Sequence, residues 1–192
     1  MNKKWFLYAL TLFPAIVAGH AGETATAQYA FTSTGWATFG IVLPKGQATA
    51  GLTVGTLPTQ TDVKNRWPDG SIRYAILTAK VADAGVYEIR EEAAASGSFT
   101  PAAPSAVLDL TIEDTHYTST LTPSAQSTDV WLDGPLVREY RIRDIPQHGG
   151  EAHPFLSNIW DVRIYSDGTA RVDVTVENIR DTAVADGVVY GV

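Results

Sequence analysis

The chain has 192 residues, which is enough for one domain with a sizeable hydrophobic core or for two small domains. Its 45% hydrophobic and 18% charged residues are typical of globular proteins and exclude the composition of disordered chains. A formal net charge of −7 argues against nucleic acid as a partner, because phosphate binding needs clustered lysine and arginine. The absence of cysteine excludes disulfides, thiolate nucleophiles, cysteine-ligated zinc and iron–sulfur clusters.

The N-terminus has the layout of a signal peptide. Two lysines precede an apolar run over residues 5–19, and small residues come next. An A-x-A stretch that ends at Ala27 favours a leader of residues 1–27, with cleavage after Ala21 as the alternative. The apolar run is shorter than the roughly 20 residues that span a bilayer, so an uncleaved anchor is the second interpretation and a buried N-terminal element the third. We expect an exported protein, periplasmic or extracellular, with no membrane span after leader removal.

Short strands are predicted along the whole chain after the leader. These segments share β-branched and aromatic residues, alternating apolar and polar positions, and turn residues at their ends. The predicted strands cover residues 29–43 in two pieces, 52–57, 61–63, 72–81, 86–90, 107–113, 116–121, 130–132, 136–142, 158–165, 169–176 and 187–192. No segment sustains a helical period over three turns, and residues 93–104 have the composition of a loop. The sequence therefore predicts an all-β fold.

Turn signals connect several of these strands as hairpins. In the stretch 67–71 (WPDGS), proline fixes φ and glycine accepts a positive φ, so a hairpin is predicted there. Residues 166–168 (SDG) carry the same aspartate–glycine signal between two strand patterns. A third hairpin is predicted through Glu113-Asp114, which separates two alternating segments. These hairpins indicate antiparallel sheets.

Two sequence motifs follow one another in the first half of the chain. Residues 38–46 are TFGIVLPKG, and residues 66–74 are RWPDGSIRY. Together they resemble the N-terminal RIFT-type β-barrel of exo-rhamnogalacturonan lyase-like proteins, in which an opening strand of the form FG-x-PLP-KG precedes a WPDGS-hydrophobic-R hairpin. The stretches 132–140 (LDGPLVREY), 152–154 (AHP) and 171–178 (RVDVTVEN) are similar to later segments of proteins in that family. They also resemble pieces of phage-encoded and bacterial proteins of undefined role.

The resemblance implies both a fold and a role. It implies a RIFT-type β-barrel whose first part spans residues 28–106, and further antiparallel strands over residues 107–192 that start, or pack on, the next β layer. In the family a central helical toroid after the barrel carries the chemistry, and nothing in this sequence corresponds to it. The resemblance therefore implies a non-catalytic module of a longer polysaccharide lyase-like protein, bracing or flanking a glycan-binding cleft. The expected partners are an adjacent catalytic domain and an acidic polysaccharide, and no cofactor is expected.

Four residues are candidate glycan contacts: Trp67, Asp69, Arg73 and Trp131. A tryptophan face can pack on a sugar ring, while aspartate and arginine can bond its hydroxyl groups. The competing interpretation is structural, because the aspartate of a turn bonds its own backbone and tryptophans are equally at home in β cores. No residue is assigned a catalytic role.

Three residues around a glycine pair are the candidate metal ligands: His148, Glu151 and His153. Imidazole nitrogens and a carboxylate form a donor set that transition metals accept. A loop with two histidines is more often a solvated connection, so no metal site is assigned.

Two other functions compete with the glycan-associated module. One is a structural or host-recognition component, on the cell surface or in a virion, although a leader argues against assembly in the cytoplasm. The other is a small complete polysaccharide lyase or hydrolase. The lack of a recognisable nucleophile, metal site or acid–base pair argues against this second alternative.

Overall fold

The computed structural model describes residues 25–102, 104–121 and 129–178 of the chain. These residues form fourteen β-strands, and none of them lies in a helix. Every strand pair is antiparallel, so the predicted all-β, antiparallel fold is confirmed. The chain divides into two compact units, Met1–Ala94 and Ala95–Val192.

The described part of the first unit contains six strands. They are β1 (Ala25–Phe31), β2 (Gly35–Val42), β3 (Leu52–Val54), β4 (Thr59–Arg66), β5 (Ile72–Val81) and β6 (Gly85–Glu91). Two three-stranded sheets result, in the orders β1-β6-β3 and β2-β5-β4. Aliphatic side chains from both sheets form the core, among them Leu52, Ile72, Leu77 and Ile89, none of which exposes any surface.

Side chains join the two sheets of the first unit at both of their margins. At one margin the Tyr29 and Phe39 rings lie 4.1 Å apart, which connects β1 to β2. At the other, Thr61 Oγ1 accepts the Leu52 N–H at 3.1 Å and donates to the Leu52 carbonyl at 2.8 Å. The Thr59 hydroxyl likewise accepts the Val54 N–H at 3.0 Å. Two threonines on β4 thus supply the hydrogen bonds that a backbone ladder would otherwise supply to β3.

The described part of the second unit contains eight strands. They are β7 (Val107–Ile112), β8 (Thr115–Thr120), β9 (Asp129–Asp133), β10 (Val137–Asp144), β11 (Gln147–His148), β12 (Glu151–Ala152), β13 (Leu156–Tyr165) and β14 (Ala170–Asn178). Two four-stranded sheets result, in the orders β14-β13-β10-β9 and β12-β11-β8-β7. Buried side chains from both sheets meet in the second core, including Leu121, Tyr140, Trp160, Val162 and Ile164.

The second core contains a cluster of polar side chains. The Ser119 hydroxyl donates to Asp144 Oδ2 at 2.6 Å, and Trp160 Nε1 donates to Ser119 Oγ at 3.3 Å. Asn158 is fully buried beside them, and its hydrogen-bond partners orient the side-chain amide so that the oxygen accepts from Trp160 Nε1 at 2.5 Å and the nitrogen donates to Ser119 Oγ at 3.2 Å. This cluster, Ser119, Asp144, Asn158 and Trp160, links β8 of one sheet to β10 and β13 of the other.

The predicted hairpins are confirmed. Glu113 and Asp114 have φ angles of 47° and 65°, and the flanking residues pair as β7 with β8.

The stretch 93–104 contains no strand among its described residues, as expected of a loop. Two short strands, β11 and β12, were not predicted, because each has only two residues around the Gly149-Gly150 turn. The predicted strand over 187–192 lies outside the described residues.

A closed barrel is not found among the described residues. Each of the four sheets ends on both sides in a strand that pairs with no further strand of that part of the chain, so the all-β class is confirmed and the RIFT-type barrel is not. Residues 1–24 of the predicted leader lie outside the described ranges. Within the described segments, no helix has the length and apolarity needed to cross a bilayer.

Candidate functional site

The stretch 67–71 forms a tight turn between β4 and β5. The Trp67 N–H donates to the Ser71 carbonyl at 2.8 Å, and the Gly70 N–H donates to the Trp67 carbonyl at 2.9 Å. Asp69 Oδ1 accepts both the amide of Ser71 at 3.0 Å and its hydroxyl at 2.6 Å. Gly70 has a φ of 86°, a left-handed conformation that glycine adopts without steric cost. Asp69 therefore holds the turn together.

The turn at residues 165–169 has the same construction. The Tyr165 N–H donates to the Thr169 carbonyl at 2.8 Å, and the Gly168 N–H donates to the Tyr165 carbonyl at 2.9 Å. The Thr169 N–H donates to Asp167 Oδ1 at 3.0 Å, and Gly168 has a φ of 85°. Because two turns in different units share these bonds, the Asp-Gly pair at 69–70 is explained by turn geometry alone.

The 67–71 turn differs from the 165–169 turn in how it is fastened to its unit. Trp67 Nε1 donates to the Leu43 carbonyl at 3.0 Å, and the Gly46 N–H donates to the Ser71 hydroxyl at 2.8 Å. The motif over residues 38–46 and the motif over residues 66–74 are therefore in direct contact. These bonds make the turn and the 43–49 loop one corner of the first unit.

A close approach between β2 and β5 also joins the two motifs. A Cβ atom added at Gly40 would lie only 2.8 Å from the hydroxyl oxygen of Tyr74. The glycine of the first motif thus leaves room for the tyrosine that ends the second. Gly40 of the first motif and Tyr74 of the second motif therefore pack directly against each other.

Cationic groups surround the 67–71 turn. The Arg73 guanidinium lies 4.7 Å from the centroid of the Trp67 ring, a cation–π contact, and Arg73 is exposed. Arg66 Nη1 donates to the carbonyls of Thr49 and Gly70 at 2.9 and 2.8 Å. Two hydrogen bonds from Ser71 lower the pKa of the Asp69 carboxyl from its ordinary value, and the nearby charge of Lys45 lowers it further. Lys45, Arg66, Trp67, Asp69 and Arg73 form what we call the basic corner.

The structure divides the four predicted glycan contacts between the two units. Trp67, Asp69 and Arg73 lie together in the basic corner, whereas Trp131 lies on β9 in the second unit with 48% of its surface exposed. Asp69 is committed to Ser71, and Trp67 is half-buried with its indole nitrogen bonded to the backbone. Arg73 is the residue of the three that is best placed to meet a ligand.

The three candidate metal ligands differ in burial: His153 is buried, whereas His148 and Glu151 are exposed. His153 is buried, and its Nδ1 accepts the backbone N–H groups of Phe155 and Leu156, both at 3.1 Å. Its proton is therefore on Nε2, and burial lowers the pKa of the imidazole. His148 is exposed and its Nδ1 lies 2.9 Å from the His116 carbonyl, to which it donates. Glu151 pairs with His148 across the β11–β12 hairpin.

The described residues contain no group of three or more histidine and carboxylate side chains that could hold a metal ion. His153 instead fixes the backbone after Pro154, and its ring packs edge-on against Tyr117 at 4.7 Å. This arrangement is that of a structural histidine.

Sequence reasoning missed Lys45 and Arg66 as members of the basic corner. Arg66 directly precedes Trp67, and its proximity could have been inferred from that position. Lys45 lies in the first motif, and only the contact of the 43–49 loop with the turn brings it near Asp69. That contact is long-range, so no local pattern reports it.

Comparison with known proteins adds no relative: no protein-family model, no curated protein and no solved structure matches the chain. What the fold and the site define is therefore a class, an all-β antiparallel protein with an exposed basic and aromatic corner on its first unit.

Proposed function

We propose that this chain is a non-catalytic β module of an exported, polysaccharide lyase-like protein, and that its basic corner contacts an acidic glycan. The observation that carries this proposal is the exposed Arg73 guanidinium held over the Trp67 ring at 4.7 Å, with Lys45 nearby. An arginine whose face stacks on an aromatic ring keeps the N–H donors at its edge for a ligand, and this planar fork suits the carboxylate of a uronic acid.

Local charge supports an acidic ligand in spite of the overall charge of the chain. The formal net charge is −7, so an acidic polymer would be repelled by most of the surface. Within the basic corner, Lys45, Arg66 and Arg73 outnumber Asp69, whose carboxylate already accepts two hydrogen bonds from Ser71. The neighbouring Glu91 carboxylate is held in the same way by Thr49 and the Ala50 amide, and the cations remain in excess. Binding should therefore be confined to this corner and should weaken as salt is added.

We also propose a RIFT-type arrangement for the first unit. Its sheets have the orders β1-β6-β3 and β2-β5-β4. The threonine bonds between β3 and β4, together with the ring contact between β1 and β2, arrange all six strands in a cycle. Side chains rather than backbone ladders complete this cycle at two places, which supports a barrel-like module.

Export by a leader is part of the proposal, and the fold favours one of the two cleavage positions. β1 begins at Ala25, Ala27 packs against the first core, and the Thr26 carbonyl accepts Gln47 Nε2 at 3.1 Å. Cleavage after Ala21 would leave β1 whole, whereas cleavage after Ala27 would remove three of its seven residues. Mass spectrometry of the exported chain should therefore find Gly22 at the N-terminus, and Gln28 there would contradict this assignment.

The test of glycan binding is calorimetry and tryptophan fluorescence of the exported chain with polygalacturonate and rhamnogalacturonan oligosaccharides. Arg73→Gln should weaken binding at least about tenfold, the equivalent of one charge-assisted hydrogen bond. The matched control is Lys80→Gln, since Lys80 Nζ lies 5.6 Å from the Trp36 ring on β2 of the same sheet and makes a similar cation–aromatic contact. This control should bind like the parent chain.

Each further outcome discriminates between sites. Loss of binding in Trp131→Ala with full binding in Arg73→Gln would move the site to the second unit and overturn the basic corner. Equal losses in Arg73→Gln and Lys80→Gln would show non-specific charge attraction. No binding to either glycan by a chain with native circular dichroism would reject the glycan-contacting function.

A further inference from the structure

The strand β14 forms a long outer edge of the second unit. It pairs with β13 over nine residue pairs, from Leu156↔Asn178 to Ile164↔Ala170, without a register shift. No described residue pairs with its other side. An edge of nine residues extends about 30 Å and offers a row of backbone N–H and carbonyl groups to another strand.

The core-facing side of this edge is apolar and incompletely covered. Val172, Val174 and Val176 stand opposite Val162, Trp160 and Asn158, which are all buried, so the valines lie on the same face of the sheet. Val174 and Val176 nevertheless expose 42% and 40% of their surface. The core of the second unit therefore ends in a rim of exposed valines.

The strand β14 carries three charged side chains, Arg171, Asp173 and Glu177, but lacks other devices that protect edge strands from pairing. Its sequence, ARVDVTVEN, contains neither proline nor lysine, and its register with β13 has no bulge. Because its pairing with β13 is uninterrupted, β14 can accept a further strand on its outer side. Its composition permits pairing along its full length.

The sequence of β14 is complementary to itself when two copies run antiparallel. With Val174 facing Val174 of the second copy, Arg171 stands opposite Glu177, Val172 opposite Val176, and Asp173 opposite Thr175. Opposite charges on facing strands stabilise a pair, and β-branched residues pack well across it. The valines of both copies would form one continuous apolar row, and Arg171 would pair with Glu177 of the other copy on the opposite face. Within each chain these two residues already contact Asp173 and Arg143, so the new pairs would extend existing ion pairs.

We propose that β14 is an interface between two copies of this chain, joined about a two-fold axis at Val174 into one continuous eight-stranded sheet. A two-fold axis uses the same patch on both partners, so each Arg171–Glu177 pair occurs twice. This inference rests on the second unit and is independent of glycan binding by the basic corner.

Charge reversal tests the pairing directly. Arg171→Glu places Glu opposite Glu at two positions of the homodimer, and Glu177→Arg places Arg opposite Arg, so each variant should associate at least about tenfold more weakly than the parent. An equimolar mixture of the two variants restores both oppositely charged pairs and should dimerise like the parent. Within one chain residues 171 and 177 lie about 20 Å apart along the strand, so an effect inside the monomer cannot produce this rescue.

A cysteine at the two-fold axis provides a second, covalent readout. The chain has no cysteine, and residues that face each other in an antiparallel pair have Cα atoms within disulfide reach. Val174→Cys should give a disulfide-linked dimer under mild oxidation. Val130→Cys is the matched control, since Val130 is 37% exposed on β9 at the opposite edge of the same sheet, and it should form no disulfide-linked dimer.

Sedimentation velocity on the parent and the variants decides the proposal. The parent should show a monomer–dimer equilibrium that single reversal shifts to monomer and that mixing restores. A parent chain that stays monomeric up to about 1 mM overturns the proposal. If hydrogen exchange then shows protected outward amides of β14 in that monomer, a segment of the same chain covers the edge. Dimers that are indifferent to both reversals place the interface elsewhere.

Discussion

The two units fasten their paired sheets in different ways. In the first unit, Thr59 and Thr61 bond to backbone groups of residues no more than nine positions away in sequence. In the second unit, the polar cluster brings together Ser119, Asp144, Asn158 and Trp160, which are up to 41 positions apart. The first joint is local and modular, whereas the second depends on the complete unit being folded. The second joint should therefore be the more costly to break.

Removal of Asn158 is expected to have the largest effect. Asn158→Ala should lower the free energy of unfolding by about 3 kcal/mol, because the Trp160 and Ser119 groups lose a buried partner and a small cavity opens. Urea denaturation measures this change. The control is Asn65→Ala, an exposed asparagine on β4, which should alter stability by less than about 0.5 kcal/mol. A loss below about 1 kcal/mol in Asn158→Ala, the lower limit for an unpaired buried group, would mean that the cluster does not join the sheets.

Thr59→Val tests the corresponding joint of the first unit. The substitution keeps the shape of the side chain but leaves the buried Val54 N–H without its acceptor at 3.0 Å, so a loss of about 1–2 kcal/mol is expected. Thr118→Val, on the exposed face of β8, controls for the general effect of valine on a strand. The comparison of the two units fails if Thr59→Val costs more than Asn158→Ala.

The contrast between local and long-range joints also explains what could be predicted from the sequence. The 67–71 and 165–169 turns were predicted because aspartate and glycine act within five residues, and the grouping of Trp67 with Arg73 came from the same hairpin. The polar cluster and the place of Lys45 could not be predicted, since both depend on contacts between distant segments. Trp131 illustrates the same limit, because an aromatic residue on a strand fits a core or a surface equally well.

Protonation of His153 should affect the second unit and leave the described part of the first, which has no histidine, untouched. The fold favours neutral His153, whose Nδ1 accepts two N–H groups and whose pKa burial lowers. The unfolded chain therefore binds the extra proton, and stability is complete above a pH of about 6.5 and declines as pH falls toward the lowered pKa of the folded state.

Denaturation curves between pH 7.5 and 4.5 measure this decline, a range chosen to bracket the ordinary histidine pKa of about 6.5. His153→Gln should remove the part of the pH dependence that lies just below that value. His148→Gln, which replaces an exposed histidine of the same unit, is the matched control. An unchanged profile in His153→Gln would show that its ring does not resist protonation.

The smallest expected effect is a gain at the β7–β8 hairpin. Glu113 and Asp114 both adopt positive φ angles, 47° and 65°, which cost L-residues with a Cβ atom roughly 1–2 kcal/mol each. The β11–β12 hairpin of the same sheet places Gly149 and Gly150 at φ angles of 57° and 91° and so avoids this strain. Glu113→Asn with Asp114→Gly, the preferred pair for a two-residue hairpin, should therefore raise the free energy of unfolding by about 0.5–1 kcal/mol. A loss of stability would instead mean that Glu113 or Asp114 makes a favourable contact that offsets the backbone strain, and the hairpin would then depend on its side chains as the polar cluster does.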